Sequence, residues 1–119
     1  MAAPNRGDLV WIDFDPQAGH EQAGRRPALI LSPRGYHQRT NLAIVCPVTS
    51  RAKGYPFEVP LPGGLPISGV VLADQVKSID RRARRIETAG SVPEAFLDEV
   101  LARLLPLLTT RSSLSGWPQ

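Results

Sequence analysis

Short apolar runs separated by glycine- and proline-rich segments constrain the fold of this chain more than any other feature. The 119 residues include 12 prolines and 10 glycines, so turn signals recur along a chain long enough for one domain. Runs this short and closely spaced are typical of antiparallel strands rather than alternating strands and helices. We therefore predict a mainly β fold, a small antiparallel barrel. The predicted strands are Leu9–Phe14, Ala28–Leu31, Leu42–Val48, Phe57–Leu61 (an edge strand, by its prolines), Gly69–Ala73 continuing through Val76–Ile79, and Arg85–Glu87.

A single segment near the C-terminus has helical periodicity instead. Ser91–Glu94 has the pattern of a capping box, with Pro93 just inside the helix start. Pro106 is expected to end the helix near residue 105. We predict one domain over residues 1–108, followed by a polar, loosely ordered tail over 109–119. The apolar positions recurring at helical spacing are Phe96, Leu97, Val100, Leu101, Leu104 and Leu105.

The charge of the chain is basic and comes mostly from arginine. The formal net charge is +3 and the sequence pI is about 9.6. Of the 14 basic side chains, two are lysines, Lys53 and Lys77, and the others are arginines. Arginine forms two-pronged hydrogen bonds with phosphate, which suits a polyanionic partner. A codon bias towards arginine would produce the same composition, and the count alone does not separate the two explanations.

Several function classes are disfavoured by what the sequence lacks. No apolar stretch approaches the roughly 18 residues of a membrane span, and no signal peptide is recognisable at the N-terminus. The single Cys46 fits a reducing cytoplasm and a buried structural thiol. The two histidines, His20 and His37, lie in separate predicted loops, and no spacing resembles a metal site, a phosphate loop or a nucleophile elbow. We expect neither a metal nor a cofactor.

RNA cleavage is the reaction that needs neither a metal nor a side-chain nucleophile, because the 2′-hydroxyl beside each phosphate can attack it. Such a reaction needs a base, a cation for the phosphorane charge and a hydrogen-bond donor. Glu21, Arg26 and Thr49 supply these groups. We expect a strand to start at Pro27, which would place the charges just before it, at the mouth of the barrel. The alternative for Glu21 and Arg26 is an ordinary surface ion pair, worth under ~1 kcal/mol.

Four motifs follow one another along the chain: Gly7–Pro16, Glu21–Ala28, Ser50–Glu58 and Gly69–Ile79. In this order they resemble the motifs of the MazF/PemK toxin family, and the match covers roughly residues 7–108. The resemblance implies an SH3-like barrel with a C-terminal helix, a homodimer, and sequence-specific cleavage of single-stranded RNA. It also implies a cognate antitoxin whose disordered, acidic tail occupies the RNA groove.

The resemblance also implies roles for individual residues. The catalytic arginine of the family falls on Arg26 and its catalytic threonine on Thr49, while Glu21 matches an acidic residue of the same loop. A guanidinium barely deprotonates at neutral pH, so we take Glu21 as the base, Arg26 as the charge stabiliser and possible proton donor, and Thr49 as a donor to phosphate. Arg25 replaces a histidine that is frequent in close relatives and adds charge for backbone binding.

Further residues are candidates for substrate contact. Asp74 and Gln75 can bond base edges, although a structural turn is an equal alternative. The loop with Arg51, Lys53 and Tyr55 mixes charge with a ring, a combination that holds phosphates and stacks bases. The run from Arg81 to Arg85 is interpreted as a solvated face, with non-specific phosphate attraction as the alternative. The predicted substrate-binding residues are Arg25, Ser50, Arg51, Lys53, Asp74 and Gln75.

Two other functions stay open from the sequence. The same kind of barrel occurs in toxins that act on a topoisomerase without cutting RNA, and an RNA-binding barrel without activity is a further alternative. The set of Glu21, Arg26 and Thr49 favours cleavage, because a toxin that only binds a protein needs no such set.

Overall fold

A computed structural model describes residues 3–14 and 24–109 of the chain; Glu21, His20 and the tail 110–119 lie outside these ranges. The described part contains seven strands, two α-helices and a short 3₁₀ turn. They are β1 (Asp8–Phe14), β2 (Gly24–Ile30), α1 (Arg34–Thr40), β3 (Leu42–Thr49), β4 (Glu58–Pro60), β5 (Val70–Leu72), β6 (Lys77–Asp80), β7 (Ile86–Ser91), α2 (Glu94–Leu104) and the 3₁₀ turn (Leu105–Leu107).

The strands form one antiparallel sheet in the order β4-β5-β3-β2-β1-β7, and β6 pairs with β3 beside β5. The prediction of a mainly β fold with a C-terminal helix is confirmed. Within the described residues, however, the sheet is open, because the outer strands β4 and β7 do not pair with each other. The fourth strand lies at an edge, as its prolines predict. The predicted continuous fifth strand is instead two strands, β5 and β6, separated by a turn at residues 73–76.

Two apolar clusters fill the two faces of the sheet, because side chains alternate along each strand. The first cluster joins Leu9 and Leu29 to Phe96 and Val100, so α2 covers this face. The second cluster contains no residue of α2 and is formed by strand residues alone. Its members are Val10, Ile12, Ala28, Ile30, Ala43, Val45, Ile79 and Ile86.

The second strand begins earlier than its apolar run predicts. It starts at Gly24 rather than Pro27, and Arg25 and Arg26 pair with Asp13 and Ile12 of β1. The expectation that these charges precede the strand is therefore wrong. Cross-strand pairing with β1 extends the strand through residues that carry no apolar signal. The first three residues are exposed and the last three buried, so the two arginines still lie at its outer end.

Helix α1 replaces part of a predicted loop. The residues of α1 are polar apart from Tyr36 and show no helical apolar period, so the sequence carries little signal for it. It begins after Pro33, ends at Asn41 with φ of +61°, and buries His37 completely. Asparagine tolerates this left-handed conformation, which is why the helix can end there.

The C-terminal helix has the predicted length but a different beginning. Ser91 is the last residue of β7 and pairs with Asp8, so it cannot act as the helix cap, and Pro93 occupies that position without a side-chain hydrogen bond. The predicted capping box is wrong for this reason. The helix ends at Leu104, two residues before Pro106, as expected. None of the helices in the described ranges is long and apolar enough to cross a membrane.

Candidate functional site

Arg26 and Thr49 lie on the same face of the sheet, on adjacent strands. The ladder between β2 and β3 ends at the pair Ala28–Pro47, and both strands continue two residues further, to Arg26 and Thr49. Residues two apart on a strand share a face, and directly paired residues lie on the same face. The register therefore places the two predicted residues on one face, each two residues beyond the last pair.

The ladder ends at this point for a chemical reason. The next position of β2 that would bond to β3 is Pro27, which has no backbone N–H and so cannot donate there. Beyond the pair Ala28–Pro47, β2 and β3 no longer pair with each other. Arg26 is exposed and Thr49 half-buried, which leaves both accessible to a ligand at the edge of the second apolar cluster.

Gly69 packs directly against the backbone of Thr49, a contact that the sequence pattern did not identify. A Cβ built at Gly69 would lie 2.3 Å from the carbonyl oxygen of Thr49, and the φ of Gly69 is +124°. Only glycine accepts both the close approach and this backbone conformation. Its position at the start of a predicted strand was the available signal, since an isolated glycine there marks close backbone approach.

Arg25 lies on the opposite face from Arg26, because the two residues are consecutive on β2. It pairs with Asp13, forms an ion pair with Glu87, and its guanidinium carbon is 5.2 Å from the centre of the Trp11 ring. Together with Arg85, these residues line a cleft of about 270 Å³. Any contact of Arg25 with a substrate would thus come from a different side of the sheet.

The loop between β3 and β4, residues 50–57, begins next to Thr49 and contacts the turn after β5. The backbone N–H of Arg51 donates to Oγ1 of Thr49 at 3.1 Å. The hydroxyl of Tyr55 donates to Oδ2 of Asp74, and this hydrogen bond raises the pKa of Tyr55. Ser50, Arg51 and Lys53 are exposed along the loop.

The turn after β5 is fixed by its backbone. Gln75 donates its N–H to the carbonyl of Leu72 at 3.1 Å, and Ala73 donates to Phe57 at 2.9 Å. Asp74 is half-buried and Gln75 exposed. Two of the predicted substrate segments, the loop and this turn, are therefore neighbours, although they are far apart in sequence.

Three further residues, Arg81, Arg82 and Cys46, have structural surroundings. Arg81 donates through Nη1 to the carbonyl of His37 at 2.9 Å, and Arg82 lies 3.6 Å from Asp80. Cys46 is fully buried, and burial raises the pKa of its thiol to about 12. Across residues 3–14 and 24–109, no three histidine, cysteine or carboxylate side chains are grouped as metal ligands.

The fold and this site define a small β-sheet protein with a cation and a hydroxyl at an exposed strand edge, beside a basic loop. The chain belongs to the family of PemK-like, MazF-like toxins of type II toxin–antitoxin systems, whose model matches residues 5–108.

Named relatives agree with this assignment. The endoribonuclease toxin MazF of Escherichia coli K12 is 49% identical over 105 residues, which are 88% of this chain and 94% of that protein. The endoribonuclease PemK of Escherichia coli is 44% identical over 108 residues, or 87% and 81%. A crystal structure of MazE–MazF from Deinococcus radiodurans superposes with a TM-score of 0.83 at 58% identity and covers 89% of this chain and 96% of that chain.

Proposed function

We propose that this chain is the toxin of a type II toxin–antitoxin system and acts as a metal-independent, sequence-specific endoribonuclease on single-stranded RNA. Cleavage of mRNA would stop translation and growth until an antitoxin neutralises the protein. Family membership supports the proposal, and so do the endoribonuclease names of relatives at 44% and 49% identity.

In the proposed reaction, a base removes the proton of a ribose 2′-hydroxyl, and the 2′-oxygen forms a bond to the adjacent phosphorus. The bond from phosphorus to the 5′-oxygen then breaks, and that oxygen takes up a proton. The products are a 2′,3′-cyclic phosphate and a 5′-hydroxyl. Negative charge develops on the phosphoryl oxygens between these events, so a fixed cation and hydrogen-bond donor lower the barrier.

Arg26 is suited to this charge because a guanidinium is cationic and presents several N–H donors. Thr49 would donate its hydroxyl to a phosphoryl oxygen. Glu21 is the proposed base; it lies outside the described ranges, so its role rests on the family motif and on the chemistry of a carboxylate. The observation that carries the proposal is the shared face of Arg26 and Thr49 beyond the last pair of the β2–β3 ladder.

The proposed partners follow from the same family. A cognate antitoxin with an acidic, disordered tail would compete with RNA for the basic loop, since both are polyanions. The MazE–MazF crystal structures from Deinococcus radiodurans, in which a similar chain occurs with a partner protein, support a protein partner here. We also propose a homodimer, and a cytoplasmic location, where mRNA is available and a single thiol stays reduced.

Incubation with mixed-sequence RNA in EDTA tests the proposal directly. We expect cleavage that leaves 2′,3′-cyclic phosphate ends and disappears in Arg26→Ala. An RNA with 2′-deoxyribose at the scissile position should remain intact. Uncut RNA would contradict the proposal and favour a toxin that binds a protein or an RNA without cutting it. Cleavage of the deoxy substrate would exclude the 2′-hydroxyl mechanism.

A further inference from the structure

Glu58, the first residue of β4, is a buried carboxylate whose hydrogen-bond partners are backbone groups of the neighbouring loop. Its side chain accepts from the N–H of Lys53 at 3.0 Å through each oxygen, from Gly54 at 3.0 Å and from Tyr55 at 3.3 Å. Glu58 is 9% exposed, and none of the ion pairs in the described ranges involves it. A carboxylate removed from water in this way requires these donors, since an unpaired buried charge is costly.

Three consecutive N–H groups that converge on one carboxylate fix the local backbone. Gly54 has φ of +78°, which allows the chain to turn so that its N–H and those of its neighbours point inwards. With the backbone N–H groups directed at Glu58, the side chains of Lys53 and Tyr55 are exposed on the outside of the loop.

Two further contacts hold the same loop from outside. Tyr55 donates to Asp74 of the following turn, and Arg103 of α2 donates to the carbonyl of Pro56. The Tyr55 ring packs against Phe57 with centroids 5.8 Å apart and remains 43% exposed. The loop is thus a rigid element that presents a cation and a ring, the pair of groups that hold single-stranded nucleic acid.

We infer that Glu58 is a positioning residue that fixes Lys53 and Tyr55 for contact with RNA nucleotides flanking the scissile phosphate. The inference rests on the proposed function and adds to it. It states that Glu58 contributes to the affinity for RNA although its carboxylate does not contact the RNA. Glu58 acts through the backbone of residues 53–55, so its loss affects binding of the flanking nucleotides. The chemical step at Arg26 and Thr49 does not depend on it.

Glu58→Gln tests this, since the amide keeps the shape and replaces one acceptor oxygen with an N–H that faces other N–H groups. Initial rates on a fluorescent oligoribonucleotide spanning a mapped cut site are expected to show KM raised about tenfold with kcat within about twofold of wild type. In a Lys53→Ala background, the same change should raise KM by clearly less than tenfold, because the Lys53 contact is already lost and only the Tyr55 contact remains to be disturbed. Glu99→Gln, an exposed glutamate of α2, is the matched control and should leave both constants unchanged.

Each contrary result has a distinct meaning. If the wild-type chain leaves the RNA intact, the proposed function fails. If the wild type cuts, the positioning role is overturned by a folded Glu58→Gln variant whose KM is unchanged or whose loss is confined to kcat. It is also overturned if Glu58→Gln raises KM in the Lys53→Ala background as much as in the wild type. Should Glu58→Gln not fold, Gly54→Ala disturbs the same turn without touching the carboxylate; it should raise KM, and an unchanged KM there overturns the role as well.

Discussion

The hydroxyl of Ser32 lies 2.6 Å from Nε2 of His37, deep in the protein, and closes a chain of hydrogen bonds. Nδ1 of His37 is 2.8 Å from the carbonyl of Pro4, which can only accept, so Nδ1 carries the proton. Nε2 therefore accepts from Ser32, whose oxygen accepts from the N–H of Ile44 at 2.8 Å. These hydrogen bonds join the neutral ring to the backbone of Pro4, to Ser32 and, through Ser32, to β3.

Acid should weaken the fold through this histidine. Burial, and secondarily the positive charge of Arg81, Arg34 and Arg6, lowers the pKa of His37 below 6.5. The unfolded chain then binds more protons, so the free energy of unfolding falls as pH drops below about 6.5, by at most about 1.4 kcal/mol per pH unit. Urea unfolding between pH 7.5 and 5 measures this.

The control variants are His37→Gln and His20→Gln. The first should be less stable at pH 7.5, but its free energy of unfolding should no longer show the fall that His37 causes between about pH 6.5 and 5, since the titrating ring is removed. The second should retain the wild-type dependence. An identical slope for wild type and His37→Gln would show that the buried ring does not cause it.

Gly69→Ala should destabilise the fold and slow RNA cleavage. The added methyl would lie 2.3 Å from the Thr49 carbonyl oxygen at a positive φ, so the chain must shift, at a cost of about 2–4 kcal/mol. Displacement of Thr49 should lower kcat in the molecules that remain folded. Gly63→Ala is the control, because nothing lies within 4 Å of its Cβ; equal stability of the two variants would contradict the close-approach argument.

Thr49→Val should separate chemistry from folding. Valine keeps the shape of threonine but has no hydroxyl, so a donor to the phosphorane is lost and kcat should fall about 10²-fold. The Arg51 N–H also loses its acceptor, at a stability cost of about 1 kcal/mol. Thr88→Val, at an exposed position of β7, is the control and should cleave normally. A wild-type kcat for Thr49→Val would remove Thr49 from the site.

Cys46 should resist alkylation in the native protein. A thiol of pKa about 12, compared with 9.0 for a free thiol, has roughly three orders of magnitude less thiolate at pH 8, and burial excludes the reagent as well. Iodoacetamide labelling with and without urea measures this on the chain's only cysteine. Rapid labelling without urea would mean that the core around β3 opens readily.

The sequence predicted those parts of the fold where apolar residues repeat and missed those stabilised by contacts between distant residues. The strands and the apolar face of α2 follow from periodicity. Helix α1 does not, because its polar residues are ordered around the buried His37 and its partners Ser32 and Pro4. The capping box was wrong because Ser91 pairs with Asp8, and local capping preference does not detect a partner far away in sequence.

The candidate site was predictable where its residues lie at the ends of strands. Arg26 and Thr49 stand out as polar residues at the ends of apolar runs, and the register of β2 and β3 brings them to one face. Gly69 and Glu58 were missed because their contacts are with backbone atoms, which no residue pattern reveals. The role of Glu21 stays a prediction, since it lies outside the described ranges.

Arg25 and Arg26 are neighbours in the chain but belong to opposite surfaces, a direct result of strand geometry. Substitutions at the two positions therefore act on different surfaces of the sheet. A change at position 25 alters the environment of Trp11 and Glu87 and leaves the residue beside Thr49 as it was. A substitution of Arg25 is therefore expected to leave the proposed role of Arg26 intact.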